Sequence, residues 1–132
     1  MWGDLFEPLG GNMRDHTKLL AFQKCDQLAV MMYRATSNFP LEERFGLTAQ
    51  LRRCAVSAPS NIVEGAARSS DPDYLRFLDI SFGSLKEMRY QWSLAHRLEF
   101  ISEARFAHVD AHLEEAVKTL AGLIKRNRSK RP

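Results

Sequence analysis

The sequence predicts an all-α protein: an antiparallel, up-down-up-down four-helix bundle with a kinked second helix. Apolar residues recur at steps of three and four in four separate stretches, which is the spacing of one helix face. Most of the 5 prolines and 7 glycines lie between or outside those stretches, so the connections are short and neighbouring helices alternate in direction. We expect a flexible N-terminal arm at 1–17, the bundle at 18–125 and a basic C-terminal tail at 126–132.

The first helix is predicted to begin near Lys18 to Leu20, with Thr17 as a candidate cap. It should end before Pro40, because a proline pushes the preceding residue out of helical geometry. Its predicted inward face consists of Phe22, Cys25, Ala29, Met32, Tyr33 and Thr36.

The second helix is predicted to open at Leu41, with Glu42 and Glu43 in the first turn, where acidic residues complement the helix dipole. Pro59 lies inside this helix and removes one backbone hydrogen bond, so we expect a kink around 55–61. The predicted apolar face consists of Leu47, Leu51, Cys54, Ala55, Ala58, Ile62 and Ala66.

The chain is predicted to reverse at 69–72, where Ser70 or Asp71 caps a third helix. A short break at 99–102 precedes a fourth helix, and Ser102 is its candidate cap. The predicted apolar face of the third helix is Tyr74, Phe77, Leu78, Ser81, Leu85, Met88, Trp92 and Ala95. That of the fourth is Phe106, Val109, Leu113, Ala116, Val117, Leu120 and Ile124.

A line of polar and small residues follows the second and third helices, and we call it the polar seam. It consists of Arg53, Ser57, Asn61, Glu64, Arg76, Gly83, Ser84 and Glu87. In an antiparallel hairpin, residues at equal height have position numbers with a constant sum. This rule predicts three contacts: Glu64 with Arg76, Arg53 with Glu87, and Ser57 with Gly83. The seam could lie within one bundle or between subunits, and Ser57 and Ser60 could instead bond to carbonyls released by the kink.

Three runs in this order, AFQKCDQLAVMMYRAT, FPLEERFGLTAQLRRCAVSAPSNIVEG and YLRFLDISFGSLKEM, closely resemble a known bacterial family. It is the four-helix bundle family of 23S rRNA intervening sequences, also described as ribosomal protein S23-like. The chain also resembles, more distantly, the accessory variability protein of diversity-generating retroelements. The resemblance covers about residues 19 to 101.

The resemblance implies a homopentamer with a central pore. It also implies RNA or DNA as partners, together with a reverse transcriptase or another protein, because the accessory variability proteins bind both. No catalytic residues are implied. Cys54 and Ser81 depart from alanines that are usual or common in the family. The family signature corresponds to Arg53, Ser57, Pro59, Asn61, Glu64, Gly65, Arg76, Gly83, Ser84 and Glu87.

No catalytic, cofactor or metal site is expected, so the chain is predicted not to be an enzyme. His108, His112 and Glu115 have a spacing that could ligate zinc, but no further ligand is evident on another helix, so we interpret them as a solvated face. Cys25 and Cys54 occupy apolar helical positions typical of reduced core thiols, which favours an intracellular protein. No signal peptide or membrane-spanning run is present, so a cytoplasmic location without membrane contact is expected.

The basic charge is concentrated at one end of the chain. Residues 1–124 carry 14 basic and 16 acidic residues, whereas residues 125–132 carry five basic residues and none that are acidic. We predict a non-catalytic oligomer that binds RNA or DNA non-specifically through basic surface and tail. The alternative is a protein-interaction scaffold that does not bind nucleic acid directly. The candidate nucleic-acid contacts are Arg52, Lys86, Arg89, Arg97, Lys125, Arg126, Arg128, Lys130 and Arg131. Some of Phe39, Phe45, Phe82 and Phe100 are predicted to fill a subunit interface.

Overall fold

A computed structural model describes residues 14–130, and all regular secondary structure in that range is helical. The four α-helices are α1 (Leu20–Thr36), α2 (Leu47–Ala66), α3 (Asp71–Arg97) and α4 (Glu103–Ser129), with single 3-10 turns at His16–Lys18 and Leu41–Glu43. The predicted fold class is confirmed. None of the helices in this range has a stretch apolar enough to cross a membrane.

The four helices form a closed ring around one core. Each helix packs against its neighbours in sequence, α1 also packs against α4, and the α2–α3 contact is the most extensive. All seven residues of the predicted α2 face are buried, and the predicted α3 face is buried except for half-buried Phe77. The largest fully buried side chains include Trp92, Met32, Met88, Leu51, Leu78, Leu85 and Leu113.

Two of the predicted helix caps are confirmed. Ser70 Oγ accepts a hydrogen bond from the Asp73 amide at 3.3 Å, and Ser102 Oγ accepts one from the Arg105 amide at 3.2 Å. These bonds satisfy backbone donors at the N-termini of α3 and α4, which have no partner within the helix.

The second helix begins six residues later than predicted. Leu41–Glu43 forms a 3-10 turn, and the backbone of Gly46 (φ −104°, ψ −116°) is not helical. Glu43 still serves the helix N-terminus, because its Oε1 accepts a hydrogen bond from the Leu47 amide at 3.0 Å. The prediction that Thr17 caps α1 is wrong, because the residue at the N-cap position is Leu19, which makes no side-chain cap bond.

Helix α2 continues through Pro59 to Ala66, and the predicted kink stays a prediction. On the buried side of this segment, Ser81 Oγ donates a hydrogen bond to the Ala58 carbonyl oxygen at 2.6 Å. The third helix therefore supplies a polar contact to the α2 backbone directly beside the proline.

The inward face of α1 was only partly predicted. Tyr33 is 43% exposed, whereas Leu28 and Ala21 are buried. Phe39, predicted as an interface candidate, is also buried, with its ring stacked 6.4 Å from that of Trp92. The buried residues of α1 follow an i, i+4, i+7 spacing that starts at Ala21. The inward face is therefore rotated about the helix axis relative to the predicted face.

Candidate nucleic-acid interface

The polar seam lies within the α2–α3 hairpin, and its centre is a chain of hydrogen bonds. Ser57 Oγ and Ser84 Oγ lie 2.8 Å apart, and Asn61 Nδ2 donates to the Ser57 carbonyl oxygen at 2.9 Å. One turn away, the Cys54 thiol donates to Glu87 Oε2 at 3.0 Å. The hairpin is therefore antiparallel at nearly the predicted heights, with Ser84 in the place predicted for Gly83.

The two predicted ion pairs across the hairpin are wrong. Glu64 pairs with Arg68 at 3.3 Å and Arg76 with Asp73 at 3.8 Å, each on its own helix. Arg53 donates a hydrogen bond to Gln50 on the same helix. Glu64 and Arg76 are both more than half exposed, so water competes for them and the neighbour three or four residues away is the nearer partner.

The close approach of α2 and α3 occurs at Gly65, and the prediction of a close approach at Gly83 is wrong. A Cβ added to Gly65 would lie 2.9 Å from the Phe77 Cβ and 3.3 Å from the Tyr74 carbonyl oxygen. A Cβ on Gly83 would meet no atom within 4 Å. Gly65 is buried and Gly83 is exposed, so only the first glycine is required by packing.

Several of the predicted nucleic-acid contacts are engaged within the protein. Arg89 forms two hydrogen bonds with Asp110, at 3.0 and 3.2 Å, and these bonds raise its pKa. Arg128 pairs with Asp79 at 2.7 Å. Arg52 Nε donates to Thr36 Oγ1 at 2.9 Å. The cations at positions 89 and 128 are therefore partly neutralised by acids that would repel a phosphate.

The remaining predicted contacts are dispersed over the bundle. Lys86 and Arg97 are exposed on α3. Lys125, Arg126 and Arg128 lie on α4, which continues to Ser129, so the helix extends into the predicted C-terminal tail. Lys130 follows α4, and Arg131 lies outside the described residues.

The structure assembles a different basic surface along the groove between α1 and α4. At one end, a cleft of about 330 Å³ is lined by Lys18, Lys118 and Arg126. At the other end, a cleft of about 210 Å³ is lined by Arg34, Arg105 and His108. An adjoining cleft of about 240 Å³ adds Asn38 and Ser102 beside Arg105. We call the whole feature the α1–α4 groove and its ends the first and second cleft.

Few acids oppose the cations of the groove. Between the clefts, Lys24 pairs with Glu115 at 2.7 Å, and its hydrogen bond lowers the pKa of that carboxyl group. Lys118 pairs with Glu114 at 3.2 Å. Within residues 14–130, no acid lies within ion-pair distance of the other four groove cations, which are Lys18, Arg34, Arg105 and Arg126.

Of these four cations, only Arg126 was predicted from the sequence as a nucleic-acid contact. The other three were not predicted, because α1 and α4 are far apart in sequence and become neighbours only in the closed ring. Residues at equal height on the antiparallel helices α1 and α4 also have a constant position sum. Lys24 with Glu115 and Arg34 with Arg105 share the same sum.

The two cysteines are buried, whereas His108 and Glu115 of the candidate metal set are exposed. Burial raises the pKa of both Cys25 and Cys54 to about 12, with the bond to Glu87 adding to the effect at Cys54. A thiol held protonated in this way is a poor nucleophile. His112 Nδ1 donates to the His108 carbonyl oxygen at 3.0 Å. The described part of the chain contains no group of three metal-ligating side chains.

These features define an antiparallel four-helix bundle protein with a cationic groove between its first and last helices. The chain belongs to the 23S rRNA-intervening sequence protein family, whose model matches residues 17–122. It is also similar to the crystal structure of a protein of unknown function from the S23 ribosomal protein family of Bacteroides thetaiotaomicron VPI-5482. The two share 25% identity and a TM-score of 0.72, over 80% of this chain and 99% of the other. No curated protein matches the chain.

Proposed function

We propose that this chain is a non-catalytic, self-associating bundle that binds nucleic acid without sequence specificity through the α1–α4 groove. The observation that supports this function is the set of four cations that form no ion pair within the described range. They are Lys18, Arg34, Arg105 and Arg126. They lie in concave clefts on one face of the molecule, which is the electrostatic footprint expected of a phosphate-binding surface.

The magnitude follows from counterion release. If the four cations each neutralise one phosphate of a duplex, the logarithm of the binding constant changes with the logarithm of salt concentration with a slope of about −3.6. Raising the salt from about 50 to about 200 mM would then weaken binding by about 10²-fold. No base-specific contact is required, so affinity should depend little on sequence.

Charge reversal at Arg105 tests the proposal without endangering the fold. Arg105 lies three residues after the cap Ser102, so Arg105→Glu places a glutamate where it can bond back to the cap and stabilise α4. Binding of a fluorescein-labelled DNA duplex, measured by anisotropy, should weaken about tenfold.

Arg53→Glu is the matched control, because Arg53 is an exposed arginine on α2, outside the groove. The proposal expects Arg53→Glu to leave duplex affinity within about twofold of the unsubstituted chain. Equal losses in the two variants, or no measurable binding by the unsubstituted chain, would contradict it.

A protein-interaction scaffold is the second candidate, and the connection between α1 and α2 favours it. Leu41 is 77% exposed and Phe45 is 84% exposed, and both lie in this one short connection. Exposed apolar residues gathered in one place mark protein contacts. We infer that these two residues contribute to self-association, with the homopentamer implied by the family as the expected assembly. Five copies would bring five grooves together.

Light scattering tests self-association. The full chain is expected to exceed the 15.1 kDa monomer mass, and Phe45→Ser is expected to shift the mass toward the monomer. Leu98→Ser is a suitable control, because Leu98 is also an exposed apolar residue but follows α3. A 15.1 kDa species alone in dilute solution would contradict self-association.

A further inference from the structure

We propose that the α1–α4 groove selects double-stranded over single-stranded nucleic acid, because its two clefts are spaced to contact one duplex strand about one helical turn apart. This inference rests on the proposed function and names the class of nucleic acid that the groove prefers.

The spacing follows from the helix that carries a cation of each cleft. Arg105 in the second cleft and Arg126 in the first lie on α4, 21 positions apart in the sequence. At a rise of about 1.5 Å per residue, their Cα atoms are separated by about 31 Å along the helix axis. One turn of a B-form duplex advances about 34 to 36 Å. Long side chains can bridge the difference, because arginine and lysine extend several ångströms from the backbone.

The rest of the groove does not oppose this contact. Between the clefts, Glu115 is held by Lys24, so the acid nearest the middle of the groove carries a counterion from the protein itself. Lys18, in the 3-10 turn that precedes α1, belongs to the first cleft, and Arg34 on α1 belongs to the second. Each end of the groove therefore has a cation that does not come from α4. The two clefts therefore form separate contact points at the two ends of the α1–α4 groove.

A single strand fits this arrangement less well for two reasons. A duplex is stiff over about 150 base pairs and presents its phosphates at fixed spacing, whereas a single strand must be ordered to reach both clefts. Proteins that bind single strands without specificity usually add aromatic rings on which bases stack. Among the described residues that line these clefts, the aromatic rings are Phe100, which packs 5.6 Å from Phe39 against the core, and His108, whose ring lies 4.9 Å from that of His112.

A length series of DNA duplexes tests the inference. A duplex of about 6 base pairs spans about 20 Å and can reach one cleft, whereas one of about 14 base pairs spans about 48 Å and can reach both. Affinity, corrected for the number of binding registers, is expected to rise by about 10²-fold between these lengths. A single strand of about 14 nucleotides is expected to bind at least tenfold more weakly than the duplex of that length.

Two variants test whether the increase in affinity with duplex length depends on both clefts. Lys18→Glu removes a cation from the first cleft at an exposed position two residues before α1, and Arg105→Glu removes one from the second cleft in the first turn of α4, where an acid is favourable. Either variant is expected to abolish most of the increase with length, while Arg53→Glu retains it.

A smooth increase with length, unaffected by either groove variant, or equal affinity for single and double strands, would overturn the inference while leaving nucleic-acid binding intact. An absence of salt-dependent binding to every probe would instead overturn the proposed function.

Discussion

Alanine at Gly83 is predicted to stabilise the bundle, and alanine at Gly65 is predicted to leave it less stable than alanine at Gly83 does. Both glycines lie inside α-helices, so both substitutions gain about 1 kcal/mol of helix propensity. At Gly83 nothing opposes that gain, because the new methyl group would meet no atom within 4 Å. Gly83→Ala should therefore stabilise the protein by up to about 1 kcal/mol, or about 3 °C in melting temperature.

At Gly65 the same methyl group would lie 2.9 Å from the Phe77 Cβ, which is fixed to the α3 backbone. The two helices must then move apart, and such overpacking costs about 1 to 3 kcal/mol. Both variants gain the same helix propensity, so the difference between them measures the packing cost alone. Gly65→Ala should therefore have an unfolding free energy about 1 to 3 kcal/mol lower than that of Gly83→Ala.

Urea unfolding followed by far-ultraviolet circular dichroism measures both free energies. Equal stabilisation in the two variants would refute the close α2–α3 approach at Gly65. Destabilisation by Gly83→Ala would refute the open environment at that position.

Three further changes are predicted. Glu99 has a positive φ of 65° just after α3, so Glu99→Gly should raise the unfolding free energy by about 1 kcal/mol, and an unchanged melting curve would contradict the left-handed conformation. Ser81→Ala removes the buried hydrogen bond to the Ala58 carbonyl and should lower that free energy by about 1 kcal/mol in urea unfolding. The pKa of the Cys25 and Cys54 thiols is raised from 9.0 to about 12, so the folded chain keeps protons that the unfolded chain loses in that window. Stability should therefore be complete below about pH 9 and fall as the pH rises toward 12, and a Cys25→Ala, Cys54→Ala double variant should lose less stability over that window.

Much of the bundle follows from the one-dimensional pattern. All seven residues of the predicted α2 apolar face are buried, because apolar residues at steps of three and four lie on one face of the helix. The caps Ser70 and Ser102 were predictable because side-chain oxygens at these positions satisfy backbone donors that have no other partner. Both features depend on residues close together in sequence.

The errors concern rotation about the helix axis and contacts distant in sequence. A constant position sum fixes the height of a contact, but each residue turns the side chain by about 100°, so Ser84 meets Ser57 while Gly83 points to solvent. The basic groove depends on α1 and α4 becoming neighbours when the ring closes, which no local pattern encodes. The extension of α4 to Ser129 was missed because charge was interpreted as tail composition, although arginine and lysine favour helices and complement a helix C-terminus.

The salt dependence of duplex binding tests the role of the α1–α4 groove most directly. If the groove cations contact phosphates, the Lys18→Glu, Arg105→Glu double variant should have a slope of log binding constant against log salt about 2 units shallower than the unsubstituted chain. Arg53→Glu should leave the slope unchanged. An unchanged slope in the double variant, or an equal change in Arg53→Glu, would contradict the assignment of nucleic-acid binding to this groove.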